Sequence, residues 1–189
     1  MKINYPNKKE TIKTKVYKTY GMLFESALNM SNEYYRQNDI AYIYKKPTPI
    51  QVVKVDYPAR SKAKITEAYY RTPSTTDYNG IYNGKYIDFE AKETESPSFS
   101  FTHIFPHQIE HLINIKRHGG IAFVIIYFKK YNDIVIIDID EFNKLYLASI
   151  NEGARKSIEY KKALEIGKIV PIGYAPVYNY LKTIDEMYF

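Results

Sequence analysis

Asp88, Glu90 and Lys92 alternate along one short stretch, with Asp77 a little upstream, and these are the residue types that metal-assisted phosphodiester hydrolysis needs. Carboxylates hold a hard divalent cation such as Mg²⁺ through oxygen. The cation polarises a phosphoryl oxygen and lowers the pKa of an attacking water. A lysine beside it stabilises charge on the pentavalent phosphorus or orients the water. Side chains two apart on a strand share a face at roughly 7 Å spacing, so a carboxylate and an ammonium can address one phosphate. The same D-x-E-x-K alternation also describes the solvated face of an edge strand, and the triplet alone does not separate the two readings.

The elements around these residues position them. Tyr82-Asn83-Gly84-Lys85 holds Asn-Gly, the strongest short hairpin signal, so Asp77 and Glu90 fall on adjoining strands. On the second strand Ile87, Phe89 and Ala91 turn toward a core, and Asp88, Glu90 and Lys92 turn the other way. A helix is predicted over about residues 22–37, with Phe24, Ala27, Leu28, Ser31 and Tyr35 on one stripe. Glu25 borders that stripe, either solvated or reaching toward the strand of Glu90. A strand over 40–44 is broken by Lys45-Lys46-Pro47-Thr48-Pro49. Residues 50–73 then form a basic, partly extended insertion, either a projecting arm or a flap over the core.

Downstream, residues 94–102 read as a loop and Pro106 as the first turn of a helix ending at Gly119-Gly120. Gln108 shares a stripe with Leu112 and Ile115, which lets its amide face the sheet, where its carbonyl can complete a metal shell. His107 and His111 have helical i, i+4 spacing, but no H-E-x-x-H accompanies them. Two apolar runs, 121–128 and 134–139, read as strands buried on both faces. Helices are expected after Asp138 or Asp140, over the basic stretch 153–168, and from Val177 to Tyr188. The predicted architecture is α/β, a mixed central sheet flanked by helices with one long arm. It is organised as a mobile basic arm over 1–20 and a single domain over 21–189.

At 189 residues, with no cysteine, disulfides and thiolate metal sites are excluded, which fits the cytoplasm. No apolar run reaches the roughly 18 residues of a membrane span, and the first twenty residues are too polar for a signal peptide. The net charge of +6 is unevenly placed. Residues 1–20 carry six lysines against Glu10 alone. Residues 45–73 carry Lys45, Lys46, Lys54, Arg60, Lys62, Lys64 and Arg71 against Asp56 and Glu67. Two basic blocks on a mildly acidic body suit a surface that tracks a phosphate backbone, although a solvated lysine-rich surface has the same composition. The 21 tyrosines accompany abundant Lys, Ile and Asn, and most are expected in the core or half-buried.

Several strings occur in a definite order: Lys45-Lys46-Pro47-Thr48-Pro49, Val55-Asp56-Tyr57-Pro58, Ser74-Thr75-Thr76-Asp77-Tyr78-Asn79-Gly80, Tyr86-Ile87-Asp88-Phe89-Glu90-Ala91-Lys92-Glu93-Thr94, and His107-Gln108-Ile109-Glu110-His111 before the apolar strand at 121–126. Together, from Gly21 to the C-terminus, they resemble the RecU-type Holliday junction resolvases within the PD-(D/E)XK nuclease fold, a restriction-endonuclease-like core with a protruding stalk. The resemblance implies a homodimeric, Mg²⁺-dependent endonuclease, with Mn²⁺ as an alternative, that resolves four-way DNA junctions symmetrically in homologous recombination and repair. It implies metal ligands at Thr75, Asp77, Glu90 and Gln108, a transition-state lysine at Lys92, and a first-helix acid at Glu25. The stalk falls on residues 47–73, where Arg60 matches a position linked to modulating the RecA recombinase; RecA and the branch-migration machinery are the implied partners. Two departures stand out: Tyr20 replaces a basic residue before Gly21, and Thr76 replaces the proline before Asp77. The competing expectations are a PD-(D/E)XK nuclease of other DNA specificity and a non-catalytic junction-binding modulator of RecA. The intact Asp77, Glu90 and Lys92 argue against the latter.

Overall fold

An apolar run with no polar face needs cover on both sides, and Ile121–Phe128 becomes β7, inside a six-stranded sheet. The computed structural model describes residues 23–70, 75–151 and 153–189, without the side chains of Arg60 and Tyr70. The basic arm expected over 1–20, and Arg71, lie outside the described residues. Across the sheet the order is β1 (Tyr42–Lys45), β4 (Tyr78–Tyr82), β5 (Lys85–Thr94), β7, β8 (Asp133–Asp138) and β10 (Lys168–Ile169). Strands β5 and β7 run parallel, and every other neighbouring pair runs antiparallel.

Helices cover both faces of this sheet. On one face α1 (Phe24–Gln37) and α5 (Tyr180–Tyr188) pack with Ile43, Ile87, Phe89, Phe123 and Ile125. On the other, α2 (Pro106–Arg117), α3 (Ile139–Asn151) and α4 (Tyr160–Ile166) pack with Ala122, Val124, Ile126 and Ile137. The stripe predicted for α1 is the one it buries: Phe24, Ala27, Leu28, Ser31 and Tyr35. The β4–β5 turn forms at Asn83 and Gly84, both at positive φ, as a two-residue hairpin loop demands. At Gly80 a Cβ would come within 2.1 Å of the Tyr42 carbonyl, so the close approach of β1 to β4 requires glycine there.

The insertion is a two-stranded hairpin, β2 (Ile50–Asp56) and β3 (Lys64–Tyr70), joined through a 3₁₀ turn at Arg60–Lys62. Its described side chains are exposed on both sides, so it projects as an arm and does not cover the core. Lys54, Lys62 and Lys64 all lie on it.

Two expectations are corrected. The stretch 94–102 is not plain loop, and 153–168 is not one helix. Ser98–Ser100 (β6) pairs antiparallel with Ser157–Glu159 (β9), and helix α4 begins only at Tyr160. Strands of three residues are too short to show a period, and their pairing partner lies far away in the chain. The other difference concerns β5. The alternative of a solvated edge-strand face fails for Asp88 and Glu90, because β5 lies inside the sheet, α2 lies over that face and both are fully buried.

Candidate active site

Strand β5 brings two carboxylates under α2. In the β4–β5 register Tyr78 faces Phe89, which sets Asp77 across from Glu90 at the end of β4. The Asp77 carboxylate is anchored there, its Oδ2 accepting the Ala91 backbone N–H at 3.0 Å. Glu90 Oε1 receives the Lys92 ammonium at 2.6 Å and the Gln108 side-chain amide at 2.7 Å. Its second oxygen, Oε2, is buried with no hydrogen-bond partner among the described residues. Burial first, and then the negative charge of Asp77, push the Glu90 carboxyl up to about 7 against the opposing pull of Lys92 and Gln108. Carboxylates of this kind, crowded and short of positive charge, are what a hard cation neutralises. The donor set is therefore suited to a divalent metal: two carboxylates, one with an unused buried oxygen, beside an amide.

Gln108 lies in the first turn of α2, its amide facing the sheet as the helical stripe predicts, and it is buried. Its carbonyl Oε1 accepts the Phe105 backbone N–H at 3.0 Å, closing the start of the helix, while its NH₂ meets Glu90. To offer oxygen to a cation this amide must turn over and release the Phe105 N–H.

Among the described residues, neither Glu25 nor Thr75 bonds Glu90, whose partners are Lys92 and Gln108. Glu25 is exposed on α1 and pairs with Lys45 at 2.6 Å; it shares a cleft with Asp77, Ala91 and Glu93. Thr75 is exposed, its hydroxyl accepting from Lys46 at 3.2 Å. Lys46, grouped by sequence with the basic residues of the arm, turns inward instead. Its side chain is 14% exposed, and the ammonium bonds Asp88 Oδ2 at 2.7 Å and the Thr76 hydroxyl at 2.5 Å.

Asp88 is thus the centre of a second polar cluster that sequence reasoning missed. It accepts from Lys46, from the Thr76 hydroxyl, from Tyr86 OH at 3.1 Å and from His111 Nε2 at 3.1 Å. Burial alone would raise its pKa, but hydrogen bonds from His111, Lys46 and Thr76 outweigh that and hold it below the usual carboxylate range. The D-x-E alternation already put Asp88 on the face of Glu90. Nothing local told that Lys46 and His111 converge on it from distant parts of the chain.

Comparison with known proteins identifies the family. The family model described as "RecU: Recombination protein U" matches residues 19–186. Curated relatives include proteins named Holliday junction resolvase RecU from Bacillus thuringiensis (strain Al Hakam) and Bacillus cereus (strain G9842). Each is 46% identical over 200 aligned residues, covering 100% of this chain and 100% of the relative. Among solved structures, Hjc, a Holliday junction resolvase from Archaeoglobus fulgidus, aligns with a TM-score of 0.42 and 12% identity, covering 76% of this chain and 91% of its own.

Proposed function

The chain belongs to the RecU family of recombination proteins, and from that premise we propose that it is a divalent-metal-dependent endonuclease that resolves four-way DNA junctions by phosphodiester hydrolysis. The observation that carries the metal-dependent reading is the buried, unpartnered Oε2 of Glu90 beside Asp77 and Lys92. Asp77 and Glu90, with Thr75 and the amide of Gln108, would hold the cation, Mg²⁺ or Mn²⁺. When bound, such a cation supplies charge on the phosphoryl oxygen and a water of lowered pKa. Lys92, now drawn to Glu90 Oε1, then turns its ammonium to the charge that develops on the scissile phosphate. Helix α2 and the buried stretch Ile87–Glu90 of β5 beneath it keep bulk water from the inner side of the site.

The projecting hairpin, with Lys45 at its root and Lys54, Lys62 and Lys64 along it, is the surface we assign to the junction backbone. Arg60 and Arg71 belong to the same basic block, whereas Lys46 is committed to Asp88. Glu25 is assigned a supporting role through its pairing with Lys45. Action as a homodimer in the cytoplasm, presenting two equivalent sites to paired strands, completes the reading, together with an association with RecA through the arm.

The test is cutting of a synthetic mobile four-way junction in Mg²⁺, beside linear duplex of the same sequence. Paired nicks in the junction with little cutting of duplex are expected. Equal cutting of both would replace junction resolution with a nuclease of broader DNA specificity. Binding without cutting, in Mg²⁺ and in Mn²⁺ alike, would remove the enzymatic assignment.

A further inference from the structure

Lys46 stands at the root of the arm in a position that no metal ligand occupies. Lys46 follows β1 directly, and both strands of the arm lie between it and Thr75 in the chain. The backbone N–H of Lys46 bonds the Asp77 carbonyl at 2.8 Å. Its ammonium reaches Thr75 at 3.2 Å, Thr76 at 2.5 Å and Asp88 at 2.7 Å. One residue therefore ties the outgoing and returning ends of the arm to each other and to β5, two positions from Glu90. The far end of the tie is rigid, since Asp88 is buried and also held by Tyr86 and His111.

We propose that Lys46 is a positioning residue: through Asp88 it fixes the segment Thr75–Asp77 against Glu90, so that the metal-holding oxygens from the returning root of the arm and from β5 meet in one place. This rests on the functional reading above and adds to it a residue that touches neither metal nor DNA. The physical reason is geometric. Asp77 comes just before β4, outside the strand ladder, where Lys46 and Ala91 hold it through their backbone N–H groups. Without the ammonium, Asp77 keeps its bonds to the Ala91 and Lys46 N–H groups, but Thr75 and Thr76 lose the charge that draws them toward Asp88.

The single change Lys46→Met leaves the Asp88 charge buried and can unfold the protein, so the informative variant is Lys46→Met/Asp88→Asn. It removes both charges and keeps an acceptor for Thr76 and Tyr86. Mn²⁺ binding by the DNA-free protein is read from the loss of the free Mn²⁺ electron-spin-resonance signal, and junction cutting is titrated with Mn²⁺ alongside. In the double variant the dissociation constant for Mn²⁺ is expected to rise about tenfold, the usual scale for losing an outer partner of a metal ligand. Cutting at saturating Mn²⁺ should return to within about fivefold of wild type, since the groups that do the chemistry remain. Lys46→Arg, which keeps the charge and its donors, should bind Mn²⁺ more tightly than the double variant.

Unchanged Mn²⁺ affinity in the double variant, with a wild type that binds Mn²⁺ and cuts junctions, would overturn the positioning role alone. So would cutting that stays depressed at every Mn²⁺ concentration, which would mark Lys46 as a purely structural residue. A wild type that neither binds Mn²⁺ nor cuts would overturn the functional reading and this inference with it.

Discussion

Asp88 and Glu90 are both acids, both fully buried, two residues apart on one face of one strand, yet their surroundings are opposite. Asp88 is met by donors from Lys46, Thr76, Tyr86 and His111, and its pKa is held down. Glu90 has Lys92 and Gln108 on one oxygen and no partner among the described residues on the other, and its pKa is pushed up to about 7. A buried charge costs several kcal/mol unless it is paired and hydrogen-bonded. The chain meets that cost at Asp88 with its own side chains. At Glu90 it leaves part of the cost standing, and a bound cation can remove it. The difference teaches that burial does not distinguish a structural acid from a site acid; the satisfaction of each oxygen does.

The largest expected effect comes from removing the unsatisfied acid. Glu90→Gln keeps the shape and the hydrogen bond to a neighbour but takes away the charge proposed to hold the metal. Junction cutting should fall by about 10³-fold or more, while junction binding, measured by gel shift without metal, stays within a few-fold. If Asp88→Asn abolished cutting as completely and Glu90→Gln did not, the roles assigned to the two acids would be reversed.

Next comes the satisfied acid. Lys46→Met removes the ammonium and strands a buried carboxylate, which should cost about 3–5 kcal/mol of folding stability in urea melts. Glu90→Gln removes a strained charge and should not destabilise the metal-free protein at pH 8. A cost below about 1 kcal/mol for Lys46→Met would mean that the remaining donors suffice for Asp88, and that its pairing with Lys46 is incidental.

Where the comparison was legible in the chain, it was through local pattern. The Asn83-Gly84 turn, the α1 stripe and the two apolar runs fixed the hairpin, the helix and the middle of the sheet. The hairpin also put Asp77 beside Glu90 on adjoining strands, and the resemblance to a known family joined Lys92 and Gln108 to them. What stayed illegible needed distant contacts. Lys46 looks like one more basic residue of the arm, because nothing near it in sequence shows that a buried aspartate awaits it. Asp88 reads as solvent-facing because alternation identifies faces but not what covers them. The β6–β9 pairing was hidden because three-residue strands leave no period. The resemblance to a known family supplied the role of Glu90, and the structure supplies the physical reason why Asp88, with the same chemistry, is not its equal.

A smaller effect is expected from pH. The folded-state pKa of Glu90 is raised from an ordinary 4.5 to about 7, so between those values the native protein holds a proton that the unfolded chain has released. Stability of the metal-free protein therefore falls as pH rises through this window, by about 3 kcal/mol in total. Asp88 has the opposite sign: its lowered pKa contributes stability above the ordinary carboxylate range that is lost only as pH falls through the folded value. Urea melts in chelator at pH 5 and pH 8 should show the loss in wild type and not in Glu90→Gln. A loss of equal size in both would place the titrating group elsewhere.

The smallest effect tests whether Asp88 is as fully satisfied as its contacts imply. Tyr86→Phe removes one donor of several from Asp88, and the ring, partly exposed, keeps its packing on the sheet. The remaining donors still neutralise and hydrogen-bond the carboxylate, so the cost should be about 1 kcal/mol, the net worth of one hydrogen bond, with junction cutting within about twofold because no group near Glu90 has moved. Gln108→Ala provides the contrast on the other acid. It removes one of the two donors Glu90 has, one of the influences holding its pKa down. The pH window of the metal-free protein should therefore extend upward, and cutting should fall. Equal responses of stability and cutting to Tyr86→Phe and Gln108→Ala would mean that the two carboxylates share one network, in which case neither could be assigned to structure or to chemistry alone.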